Sequence, residues 1–324
     1  MNQHVVQHAD SLRFNKYNFN FKSSMKVKNV IVGACALFLF FAFVSCSGGS
    51  GTKSSAEPTK AEVDPKLVAE GPYEKFIEAT DISPAYVLIE KPQVNLDDFA
   101  KGSDGYITLF DGTFKGWRGY GRDTVPASWV IDDGAIKIIG SGTGEAHSET
   151  GGDLIFAHKF KNFELTFEWK VAKGSNSGVF LLAREIKGEP IWISSAEYQV
   201  LDNENHTDAK EGENGNRQSA SLYDMVSAFP QNAKPFGEWN TGGITVSKGS
   251  VFHKQNGRTV TEYHLWTPRW EELISNGKFR KGGEYPLAYG LLTNIGGAER
   301  EGYIGVQDHG EDVWFRNIKI KILD

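Results

Sequence analysis

The chain has 324 residues, 40% hydrophobic and 12% aromatic, with a formal net charge of −6. That balance suits a soluble globular protein with a sizeable core and gives no footing for a nucleic-acid partner. Thirty-six glycines against 11 prolines, with aromatic and β-branched residues in short runs, favour one β-rich domain with many tight turns.

In chain order, Lys26 and Lys28 precede an apolar stretch, Val30 to Val44, too short to span a bilayer but right for the hydrophobic region of a secretory signal. It ends in Phe-Val-Ser-Cys at 43–46, which resembles a lipobox. Residues 1–45 therefore read as a signal peptide, with 1–24 a start-site artefact ahead of Met25, and Cys46 as the lipidated residue. Cys35 would leave with the signal, so no cysteine pair remains for a disulfide. Ser47-Gly48-Gly49 carries no acidic run, which favours an outer-membrane anchor facing the periplasm. Residues 46–62, rich in Gly and Ser, read as a flexible tether. Residues 63–104 mix Tyr73, Phe76, Tyr86 and Phe99 with prolines at 65, 72, 84 and 92, and predict a short helix near 73–79 within an extended arm wrapping the domain.

From 105 to 324 the pattern predicts an all-β, two-sheet antiparallel sandwich with few short helices. Strands are expected over 106–110, 128–132, 135–139, 153–157, 163–171, 178–184, 196–201, 243–248, 259–264, 302–306 and 312–322. Phe163, Leu165, Phe167, Trp169 and Val171 alternate with polar residues, as a strand with one buried face requires. Asp133-Gly134 and Asn256-Gly257 are type I′ hairpin signals. The helix-like segment of note is Trp270 to Ile274, after Pro268.

Several short motifs stand in a set order along the chain: Leu-Phe-Asp-Gly-Thr at 109–113, Gly-Gly-Asp-Leu-Ile at 151–155, Phe-Glu-Leu-Thr-Phe-Glu-Trp-Lys at 163–170 and Gly-Ser-Asn-Ser-Gly-Val-Phe at 174–180. Ala-Glu-Tyr-Gln-Val-Leu-Asp-Asn at 196–203, Lys-Pro-Phe-Gly-Glu-Trp-Asn at 234–240 and the run from Gly302 to Leu323 follow. From Tyr106 to the C-terminus this order resembles the 3-keto-disaccharide hydrolase family. The resemblance implies a concanavalin-like jelly roll that cleaves the glycosidic bond of 3-keto-glycosides. It also implies a glycoside 3-dehydrogenase acting earlier to supply them. The stretch His253-Lys254-Gln255-Asn256-Gly257 departs from the family pattern, which has an aromatic and an aliphatic residue before the Asn-Gly turn.

Period-two spacing places Glu197 and Gln199 on one face and Tyr198 and Val200 on the other, and Glu197 is the first candidate catalytic carboxylate. His206 follows in a polar loop; Gln307 and His309 share a face two residues apart. Either histidine could serve as base near neutral pH. Asn176, Arg184, Gln199, Asp202, Tyr223 and Gln307 are candidate substrate contacts, and Trp117, Trp192 and Trp266 candidate stacking platforms. A divalent metal is weakly signalled: no His-Glu-x-x-His occurs, and Glu197, Asp202, His206 and His309 would have to converge in three dimensions to hold one. A ketone at C3 acidifies the C2 hydrogen, so a base there and an acid at the glycosidic oxygen permit β-elimination, with water addition completing a net hydrolysis. Two rival readings are a conventional two-carboxylate glycoside hydrolase and a carbohydrate-binding module without chemistry.

Overall fold

The computed structural model describes residues 86–142 and 151–324. The expected signal, Cys46, the tether and the helix near 73–79 lie outside them. Among the described residues the chain forms β1 (Ile107–Thr108), β2 (Trp117–Gly119), β3 (Trp129–Asp132), β4 (Ala135–Ile138), β5 (Leu154–Phe160), β6 (Phe163–Val171) and β7 (Asn176–Ala183). There follow β8 (Ala196–Leu201), β9 (Asn240–Ser247), β10 (Ser250–Gln255), β11 (Arg258–His264), β12 (Gly302–Val306) and β13 (Val313–Ile322), with helices α1 (Pro268–Asn276) and α2 (Ala288–Thr293).

The strands make two antiparallel sheets. One runs β11-β10-β9-β6-β13-β4-β3, with β1 also on β13; the other runs β2-β5-β12-β7-β8. This is the expected sandwich. The alternation in β6 holds: its five apolar side chains are buried and the residues between them half-buried. Phe167 meets Tyr198 of the opposite sheet edge-to-face at 5.3 Å, and each such side chain taken from water contributes about 1.5–3 kcal/mol. Asp133-Gly134 and Asn256-Gly257 have φ of 48° and 71°, and 46° and 79°, the left-handed pair a type I′ turn needs.

Three elements escape the sequence pattern. β2 is three residues long, too short to show a period. In β10 the inward positions after Val251 are His253 and Gln255, both fully buried, so polarity hides the alternation. His253 Nδ1 lies 2.9 Å from the Ala220 carbonyl and Nε2 3.1 Å from the Tyr263 hydroxyl. α2 is a six-residue apolar segment with no side-chain cap. α1 exceeds its expected span because Thr267 caps it, accepting from the Trp270 N–H at 3.1 Å, with Pro268 in the first turn.

Ahead of the sandwich, Leu88 bridges to Ile186, and the Ile89 and Val94 N–H groups donate to the carbonyls of Glu185 and Ala157, both at 2.8 Å. No helix among the described residues is long and apolar enough to cross a membrane. β7 and β8 are buried on both faces. Loops therefore cover the outer face of the five-stranded sheet, and buried polar side chains collect there.

Candidate active site

In an antiparallel pair, directly opposed residues share a face. Gly178 opposes Gln199, Phe180 opposes Glu197, and Asn176 opposes Leu201, so Asn176, Glu197 and Gln199 all lie on the outer face. The Gln307 N–H donates to the Gly178 carbonyl at 2.9 Å, extending the row to the strand beyond. Glu197, 8% exposed, lays its carboxylate across Gly178: a Cβ there would sit 2.3 Å from Oε1. Asn176 Oδ1, Gln199 Nε2 and Gln307 Oε1 are buried without a hydrogen-bond partner. Gln199 cannot turn its amide freely, because its Oε1 accepts from the Val200 N–H at 3.1 Å. Buried amide groups are rarely left without a partner, so these three are free to bond a ligand's hydroxyls.

β7 begins, and β8 and β12 end, at the same edge of this sheet, and the histidines enter there. Asp202 shapes the turn leaving β8: its carboxylate accepts from the Gly174, Glu204 and Asn205 N–H groups and from Asn205 Nδ2. Burial pushes its pKa up, but those donors outweigh it and hold the group below the usual range. Asp202 is thus committed to the turn, and the His206 N–H donates to its carbonyl at 3.0 Å. His206 and His309 stand edge-to-face at 5.8 Å. His309 Nδ1 is 2.9 Å from Glu311 Oε2, while His206 Nδ1 accepts from the Asp208 N–H at 3.1 Å. Burial, reinforced by the charge of His309, lowers the His206 pKa and favours its neutral ring. His206, His309 and Glu311 bring their ligand atoms within 4.8 Å of one another. Glu197 and Asp202 are not part of that cluster.

The Tyr223 N–H donates to the Glu197 carbonyl at 3.1 Å. Burial, then the charges of Asp208 and Glu197, push the Tyr223 hydroxyl up, so it remains a proton donor. Arg217, bonded to Asp208 and Asp224 at 2.7 Å each, stiffens this loop. Beside Gln307 opens a cleft of about 300 Å³ whose lining includes Tyr120, Arg122, Asp153, Glu189 and Trp192. Of the three tryptophans considered as platforms, Trp192 lines this cleft. Trp117 and Trp266 are core residues with their indole N–H groups bonded to the Leu109 and Ile295 carbonyls. Arg184 is not brought to this site: it follows the far end of β7, where Nη1 donates to the Tyr86 hydroxyl at 3.1 Å. Glu311 and Asp153 went unforeseen, although Glu311 stands two residues from His309, within ordinary reach of its ring.

A two-sheet sandwich with a polar cleft and a carboxylate–histidine cluster on one loop-covered face has the make-up of a small-molecule site with groups for proton transfer. The family model described as 3-keto-alpha-glucoside-1,2-lyase-like domain matches residues 105–321, and the chain belongs to that family. A protein of Bacteroides thetaiotaomicron named 3-keto-disaccharide hydrolase is 55% identical over 291 residues, covering 87% of this chain and 94% of that one. A crystal structure from Parabacteroides distasonis, presented as a candidate glycosyl hydrolase, superposes with a TM-score of 0.57 at 27% identity, over 68% of this chain and 95% of its own. A second from the same species gives 0.50 at 24%, over 67% and 99%, a likeness of fold.

Proposed function

We propose that the enzyme cleaves 3-keto-glycosides by removing the C2 hydrogen and expelling the C1 oxygen, after which water adds at C1 to give net hydrolysis. The observation that carries the residue roles is the opposite hydrogen bonding of the two imidazoles. His309 presents Nδ1 to the Glu311 carboxylate, which places the ring proton there and makes Nε2 the basic atom. His206 receives an N–H at Nδ1, which places its proton on Nε2. One ring is thereby arranged as base for C2–H and its neighbour as donor to the departing or enolate oxygen. Glu197, Asn176, Gln199, Gln307 and Tyr223 then hold the sugar and the developing charge. At the next position on its own face Glu197 is followed by an amide, Gln199, rather than the second carboxylate that direct displacement at C1 would place nearby.

The same cluster supports one further reading, a divalent cation between His206, His309 and Glu311. The Asp208 N–H aimed at His206 opposes it, because a cation on Nε2 would need the proton moved to Nδ1. A substrate ketone at C3 must be supplied by an oxidising enzyme of the glycoside 3-dehydrogenase class.

The test is turnover of 3-keto-glycosides and of their unoxidised parents in deuterated water, with and without chelator. Cleavage confined to the keto compounds, with deuterium at C2 of the product above the enzyme-free control, is the expected outcome. His309→Ala and Glu311→Ala should lose exchange and cleavage together, whereas His206→Ala should retain exchange into intact glycoside. Rapid cleavage with C2 hydrogen fully retained would exclude elimination, and loss of activity on chelation alone would move the cation reading ahead.

A further inference from the structure

A second cleft opens on the same sheet at the far end of β7, with no lining residue in common with the first. It measures about 200 Å³ and includes Lys159, Arg184, Glu185, Glu299, Glu301 and Tyr303. Asn176 begins β7 and Arg184 follows its other end, so the histidine cluster and Arg184 lie at opposite ends of that strand. The wall between them is tightly bonded. Arg118 donates to both carboxylate oxygens of Glu185 at 2.6 Å. The Tyr120 hydroxyl donates to the Arg184 carbonyl at 3.0 Å and accepts from the Ile186 N–H at 2.9 Å.

The second cleft has groups the fold leaves unused. Tyr303 is 1% exposed; the Arg118 guanidinium beside its hydroxyl offers only donors, so the phenol proton has no acceptor. Burial, then the charge of Glu185, raises the Tyr303 pKa to about 12, so the hydroxyl stays protonated and able to donate. The guanidinium of Arg184 lies over the Tyr86 ring at 5.3 Å and donates to that residue's hydroxyl. The close approach of Gly297 holds it in place, a Cβ there falling 3.1 Å from Arg184 Cζ. Among the described residues no carboxylate pairs with Arg184, and Lys159 is bridged to Glu90 at 3.1 Å.

We infer that this second cleft is a non-catalytic binding site for a neutral sugar unit. Cations, a phenol and carboxylates all line the cavity, with Glu185 neutralised by Arg118 and Lys159 by Glu90. An anion would face Glu299 and Glu301, and a cation would face Arg184. Sugar hydroxyls both donate and accept, and so satisfy both signs and the orphaned phenol together.

The experiment uses the full chain carrying Glu197→Gln, titrated calorimetrically with glucose and with maltose, neither of which is oxidised. Two separable binding events are expected. Tyr303→Phe and Glu301→Gln, added singly, should weaken one event at least tenfold and leave the other, while in the wild-type background both keep turnover and melting temperature. A single event unaffected by either substitution overturns the site, and displacement of the sugar by inorganic phosphate at that event overturns its ligand class. If the keto-glycoside mechanism fails while the Tyr303-dependent event persists, the second site stands by itself.

Discussion

At the scale of single residues, the fit between Gly178 and Glu197 is the tightest constraint on the site. Gly178 has no positive φ, so alanine is allowed by its backbone, and only the 2.3 Å approach to Glu197 Oε1 forbids it. Gly178→Ala should push the carboxylate off its seat and lower turnover by about tenfold to a hundredfold, since an ångström of misplacement has effects of that order. The melting temperature should move little; unchanged turnover would remove Glu197 from the machinery. The face of Glu197, Gln199 and Gln307 was legible because alternation is a local property of extended backbone. Arg184 misled for the same reason: alternation gives a face but not which end of the strand carries the chemistry. Asp202 was placed in the right neighbourhood, yet its four donors make it a turn former. The partner of His309 could not be read, since several acids lay within reach and only the folded loop shows that Glu311 meets its Nδ1.

Among the elements, β10 shows what the polar pattern concealed. Its inward His253 is fully buried and ties the strand to the Ala220 carbonyl and the Tyr263 hydroxyl, so the departure from the family pattern at 253–257 is a structural bond between β10 and the loop before Leu222. Burial lowers the His253 pKa to about 4. The unfolded chain takes up that proton near pH 6.5 and the folded one only near 4. The stabilising contribution is therefore complete above about 6.5 and is lost as pH falls toward 4, to an extent on the order of 3 kcal/mol. Urea midpoints across that window should show wild type well above His253→Gln at pH 7 and the gap closing by pH 4.5. A gap constant with pH would show that the ring already shares its proton with solvent. The strands with apolar inward faces were legible for the converse reason, and the helix with a capping threonine was found because its start signal is chemical as well as periodic.

For the molecule as a whole, the sandwich followed from hairpin turns and one-sided strands, but the order of strands within each sheet did not, because pairing β6 with both β9 and β13 depends on contacts far apart in sequence. The family match begins at residue 105, so the chemistry proposed for this protein belongs to the sandwich and should not need what precedes it. We propose that Cys46 carries the membrane anchor. The apolar run of 30–44 leads into Ser45 and Cys46, completing Phe-Val-Ser-Cys at 43–46, and residues 46–62 are rich in Gly and Ser. Two acyl chains suffice for stable attachment, and a diacylglyceryl cysteine with an amide-linked third chain exceeds that. Cys46→Ala should therefore shift the protein from the membrane pellet to the soluble fraction after a salt wash, with turnover per molecule on a soluble keto-glycoside unchanged. If the variant stays in the pellet, the attachment resides elsewhere in the chain. If it is released but loses turnover, the anchor contributes to the site, contrary to a sandwich that holds all its catalytic groups between Asn176 and Glu311.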